Sequence, residues 1–149
     1  MPITFSHINN LPLPDLLIHL INENKWKHPG NDVMKKTIPF FHEEIDFLFT
    51  ETEFKLENSS LYLEDEIFFC FDSKKSKLAN NLPYLASDLS ILIAVNKIPG
   101  DDLGIALDYR TSFLNPRIIA NNWHSGIRGC PWIEISPTFE AFIKNIGII

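Results

Sequence analysis

The chain holds 149 residues, 45% of them apolar and 21% charged, which fits a single globular domain over residues 1–149 and not a disordered segment. A formal charge of −6, from thirteen basic residues against nineteen acidic ones with no dense basic run, argues against a nucleic-acid binder. Two cysteines are too few for a disulfide framework, and no stretch nears the ~18 continuous apolar residues that a membrane span needs.

The first residues, Met1 to His7, show no basic region leading into an apolar stretch, so no secretory leader is predicted and the cytoplasm is the expected location. Leu13, Leu16, Leu17, Leu20 and Ile21 then share one face of a helix predicted from Leu13 to Asn24. Pro14 suits its first turn, where a missing N–H costs nothing, and Asp15 complements the positive helix end. Lys25 to Gly30 breaks the pattern. Asn31 is placed to cap a short second helix reaching Thr37, with Val33 and Met34 inward and Pro39 stopping it.

Two signals compete between Asp46 and Glu57. Thr50-Glu51-Thr52-Glu53 is a capping box, which favours a helix from Glu51. Thr52, Phe54 and Leu56 also alternate with Glu53, Lys55 and Glu57, as a half-buried strand would. The capping box is the preferred reading. Ile67 to Phe71 is strand-like and contains Cys70, and Asp72 to Leu82 is a polar, lysine-rich candidate for a mobile loop.

Leu89 to Val95 and Leu103 to Tyr109 are apolar runs separated by Pro99-Gly100-Asp101-Asp102, where Pro fixes φ and Gly permits positive φ. They are predicted to pair as an antiparallel hairpin. Arg117 to Trp123 and Trp132 to Ile135 supply a third and a fourth strand around a loop marked by Gly126 and Gly129. Ser136 is a natural N-cap with Pro137 in the first helical position, and Phe139, Phe142, Ile143 and Ile146 form the inner stripe of a closing helix. Helices, an antiparallel meander and a terminal helix make the predicted class α+β.

The run Gly100-Asp101-Asp102-Leu103-Gly104-Ile105-Ala106-Leu107-Asp108-Tyr109-Arg110 resembles the central hairpin of the SUKH superfamily, which includes fungal cell-wall assembly regulators and bacterial immunity proteins. Asn115-Pro116-Arg117-Ile118-Ile119, Trp123, Trp132 and Ser136-Pro137-Thr138-Phe139-Glu140-Ala141-Phe142 fit the same pattern downstream. Upstream, Trp26-Lys27-His28-Pro29-Gly30, Ile38-Pro39-Phe40 and Asp46-Phe47-Leu48 resemble a subgroup common in bacilli, so the likeness spans residues 13–146. The resemblance implies a twisted antiparallel sheet flanked by helices, no cofactor, and direct binding that neutralises a polymorphic toxin, often a nuclease. A regulatory or scaffold module in cell-wall or stress signalling is the alternative it offers. Residues 50–81 depart from the pattern.

No catalytic, cofactor or metal site is expected. The five histidines (His7, His19, His28, His42 and His124) lack metal-ligand spacing, and His19 falls on the solvent side of the first helix. His124 and Cys130 show no electropositive setting that would activate a thiol, which leaves a small hydrolase as a remote alternative. Asp101 and Asp102 read as turn residues, and Asp108 as a strand end that Arg110 neutralises. Gly126-Ile127-Arg128-Gly129 lacks the flanking helices of a GxxG nucleic-acid clamp.

The remaining candidates concern a protein partner. Glu57 with Glu64-Asp65-Glu66 is the densest acidic stretch and Asp101-Asp102 the next; such carboxylates either form a solvated surface or meet the basic cleft of a nuclease. Tyr62 or Trp26, half exposed beside these charges, would make an interface anchor, although Trp26 equally suits a place beneath the loop before the second helix.

Overall fold

The computed structural model describes residues 5–40, 45–63, 85, 87–96, 104–121 and 132–149, and the side chains of all of these except 60–63, 87 and 96. The elements run β1 (His7–Ile8), β2 (Leu11–Pro12), α1 (Asp15–Asn22), α2 (Asn31–Thr37), β3 (Ile45–Phe47) and α3 (Glu51–Leu63). After a short 3-10 turn at Ser87–Leu89 come β4 (Ser90–Asn96), β5 (Gly104–Asp108), β6 (Arg117–Asn121), β7 (Trp132–Ser136) and α4 (Phe139–Asn145). Strands β3 to β7 form one antiparallel sheet in chain order, while β1 and β2 pair separately. The fold is α+β, as the sequence predicts.

The β1–β2 hairpin has no counterpart in the sequence reading. It turns through Asn9 and Asn10, at φ 51° and 67°, and asparagine is among the few side chains that enter this left-handed region readily. Pro14 stands just before α1 and not within its first turn. The helix buries Leu17, Leu20 and Ile21 and ends where Asn24, at φ 61°, turns the chain so that the N–H groups of Lys25 and Trp26 bond to the Leu20 carbonyl. Helix α2 is capped differently from the prediction. Gly30 occupies the N-cap position at φ 111°, which side chains resist, and Asn31 is the first helical residue.

The competing signals after Asp46 resolve into a short strand followed by a helix. Glu53 N–H donates to Thr50 Oγ1 at 3.1 Å and Thr50 N–H donates to Glu53 Oε1 at 3.2 Å, the reciprocal pair of a capping box at the start of α3. Phe54 is buried there but Leu56 is 67% exposed, so the alternating pattern does not describe a strand. Asn58 reaches from α3 to the sheet: its Oδ1 accepts from Leu92 N–H at 2.6 Å and its Nδ2 donates to Leu92 O at 3.1 Å. These bonds serve the backbone where the β4–β5 register shifts between Leu92 and Ala94.

Both faces of the sheet carry buried apolar residues, which explains why β4 to β6 read as nearly continuous apolar runs. On one face Ile91, Ile93, Ile105, Leu107, Ile118 and Ala120 join the cluster that contains Leu17, Leu20, Phe142 and Ile143 of α1 and α4. On the other, Leu85, Leu92, Ala106, Ile119 and Trp132 form a second cluster.

The stripe of α4 is as predicted, with Phe139, Phe142, Ile143 and Ile146 buried. Its cap is not. Ser136 is held in β7, paired with Ile118, and Thr138 caps the helix by accepting from Ala141 N–H at 3.1 Å. The strand-like run 67–71, the loop candidate 72–82, the turn 99–102, Trp123, Gly126, Gly129, His42, His124 and both cysteines lie outside the described residues.

Candidate functional site

The sequence-predicted partner residues are not gathered into one patch among the described residues. Of the two places open to Trp26, an interface anchor or a position beneath the loop, burial decides against the first: it is 1% exposed. Its indole Nε1–H donates to Leu48 O at 2.9 Å, and its ring stacks on Phe47 at a centroid distance of 4.3 Å. An enclosed indole offers no surface to a partner, so Trp26 belongs to the core. Glu57 lies on α3, where burial first and the neighbouring Glu53 charge second raise its carboxyl above the ordinary carboxylate range. Tyr62 is on the last turn of α3, with its side chain outside what is described. Glu64, Asp65, Glu66, Asp101 and Asp102 also lie outside the described residues.

What the fold does assemble is a charged base beneath the loop between β5 and β6. Asp108 ends β5, Arg117 begins β6, and the two are direct cross-strand partners. Asp108 is fully buried. Its Oδ1 accepts from Arg110 N–H at 3.1 Å and from Arg110 Nε at 2.9 Å. Its Oδ2 accepts from Arg110 Nε at 3.1 Å and from Arg117 Nε at 2.7 Å. Arg117 continues to Glu134 of β7, with Nη1 3.4 Å from Oε1.

A buried carboxylate is tolerable only when paired and hydrogen-bonded, and this one has its acceptor sites taken by guanidinium and backbone donors. That geometry suits a structural anchor. A general base would need a lone pair aimed at a substrate proton. The predicted neutralisation of Asp108 by Arg110 is present, and Arg117 joins it.

Because Arg110 and Arg117 flank the loop, one carboxylate holds both of its ends. Further contacts stiffen the span between them. Tyr109 donates its hydroxyl to the Pro12 carbonyl of β2, and its ring lies 6.1 Å from that of Phe113. Burial pushes the Tyr109 phenol up, so the hydroxyl remains a donor into alkali where an exposed phenol ionises. Ser112 Oγ accepts from Asn115 N–H at 3.0 Å. On this frame Phe113 is 55% exposed and Leu114 87% exposed. Sequence reasoning missed both. The available signal was an apolar pair set among Ser112, Asn115 and Pro116, where turn residues favour the surface.

Beside the loop lies a shallow cleft of about 270 Å³ between the starts of α1 and α4. Its apolar walls are Pro14, Leu16, Leu114, Pro116 and Phe139, and Asp15 and Glu140 supply carboxylates. Drug-sized ligand sites run to roughly 300–1,000 Å³ and enclose most of the ligand, and this open cleft falls just below that range. Among the described residues no group of three or more His, Cys, Asp or Glu side chains is arranged to hold a metal ion, and no helix is long and apolar enough to cross a membrane. His19 is exposed, with Nε2 3.3 Å from Glu23 Oε1.

Comparison with protein-family models, with curated proteins and with solved structures finds no match to this chain.

Proposed function

We propose that this chain is a non-catalytic protein-binding domain, and that it serves as an immunity protein which binds and neutralises a toxin domain in the cytoplasm. The observation that carries the binding reading is the stapled β5–β6 loop, which presents Phe113 and Leu114 to solvent on a frame fixed by Asp108. A loop held in one shape loses little conformational freedom on binding, and apolar or aromatic side chains at such a tip are effective anchors. The net charge of −6 favours fast encounter with a basic partner, as a phosphate-cleaving toxin would be. The narrower immunity role rests on the SUKH-like order of motifs from Trp26 to Phe142.

The test is calorimetric titration of the full chain with the toxin-like domain encoded beside it, alongside an assay of that domain's activity. A tight one-to-one complex with loss of toxin activity is expected. Phe113→Ser should weaken it about thirtyfold, the size of an interface hot spot, while the variant unfolds near the wild-type midpoint. Turnover of a small substrate that vanishes when a buried acid is altered would overturn the reading.

A further inference from the structure

We infer that the cleft between the starts of α1 and α4 receives a basic side chain of the partner protein, a lysine or arginine flanked by apolar residues. This rests on the protein-binding reading and gives it a specific point of contact.

The observations are chemical and local. Apolar walls come from three separate elements: Pro14 and Leu16 at α1, Leu114 and Pro116 from the loop, and Phe139 at α4. The charged side chains on this lining are Asp15 and Glu140, both carboxylates. Thr138, the remaining hydroxyl, is committed to capping α4 through Ala141 N–H. Glu140 meets Lys144 at 3.2 Å, but that pair lies on the helix surface with both partners about 60% exposed, so water already competes for it and an incoming cation displaces it cheaply. A long basic side chain fits such a lining twice over: its methylene stem lies along the apolar walls and its head meets the carboxylates. An acidic segment would set like charges against Asp15 and Glu140. Asp108 holds both ends of the loop that carries Leu114, so less backbone must be ordered when the partner arrives.

The probe is a capped peptide of sequence Gly-Leu-Arg-Leu-Gly, titrated into the isotope-labelled full chain and followed by backbone amide shifts. The counterpart with Glu in place of Arg is the control. The arginine peptide is expected to move the amides of Leu16, Leu114 and Glu140 saturably, and raising NaCl from about 0.05 to about 0.5 M should weaken it. The double variant Asp15→Asn with Glu140→Gln, which alters only surface charges, should weaken it about fivefold with the rest of the spectrum in place. Equal or better binding of the glutamate peptide, shifts that map elsewhere, or no shifts at all would overturn the inference. So would a concentration-dependent dimer that hides these same amides, since the occupant would then be a second copy of the chain. A chain that ignores the peptide yet neutralises its toxin loses the cleft assignment and keeps the proposed function. One that takes the peptide but no toxin domain keeps the cleft and loses immunity.

Discussion

The two faces of the five-stranded sheet are built on different physics. The face toward α1 and α4 is apolar across β4 to β6, where Ile91, Ile93, Ile105, Leu107 and Ile118 meet Leu17, Leu20, Phe142 and Ile143. The opposite face is apolar at one end, through Leu92, Ala106, Ile119 and Trp132, and ionic at the other, through Asp108, Arg117 and Glu134. Apolar burial has no direction, so the first face sets stability while tolerating changes of shape. Guanidinium–carboxylate bonds are directional, and those on the second face fix where a surface loop stands. Both faces stabilise the fold, and only the second also fixes the position of a displayed loop.

The sharpest way to break the contrast is at Asp108. Asp108→Asn leaves two guanidiniums against a neutral amide inside the protein and should cost about 3–5 kcal/mol in chemical denaturation. It should also broaden the amide signals of residues 111–115. Phe142→Ala on the other face should cost a similar ~3–5 kcal/mol by leaving a cavity, yet leave those loop signals where they are. If both variants disturb the loop equally, the two faces do not divide the work.

Smaller effects sharpen the same boundary. Asn58→Ala removes both partners of the Leu92 backbone at the apolar end of the second face and should cost about 1–3 kcal/mol, read from the thermal midpoint, with the loop unmoved. The smallest expected effect is alkaline. Burial raises the Tyr109 phenol above its ordinary value of 10.0. The unfolded chain therefore releases this proton first, so above about pH 10 it binds fewer protons than the folded chain, and stability must fall as pH rises. The stabilisation is whole below pH 10 and is lost on the way up to the folded value. Tyr109→Phe should flatten that part of a stability–pH curve, at the cost of about 1 kcal/mol at neutral pH for the lost bond to Pro12.

Elements with a strong period were legible in the sequence. The stripe from Phe139 to Ile146 gave α4, the apolar runs around residues 90–96 and 104–108 gave the β4–β5 pair, and Thr50 with Glu53 gave the start of α3. The β1–β2 hairpin was not legible because strands of two residues have no period, and its only marker was Asn9-Asn10. The cap of α4 fell to Thr138 because two adjacent sites compete, and pairing with Ile118 keeps Ser136 in the sheet. Composition does not say which way an indole points, so the sequence leaves Trp26 open between surface and core, and only Leu48 O and the Phe47 ring decide for the core. The candidate surface depended on register. Arg117 is nine places from Asp108 in the chain, and only the pairing of β5 with β6 sets the two side by side.

One consequence of the Trp26 packing concerns the order in which the core closes. The indole stacks on Phe47 and lies tilted against Phe139 at a centroid distance of 5.7 Å, and the leucines of α1 share a cluster with Phe142 and Ile143. Trp26 and Phe139, and likewise α1 and α4, are separated by more than half the sequence. Contacts this distant in the chain carry a large loop-closure cost, so the packing of α1 and Trp26 on α4 is expected to form after the local helices and hairpins. Tryptophan emission followed through refolding of the chain, against that of Phe139→Leu, would time that closure.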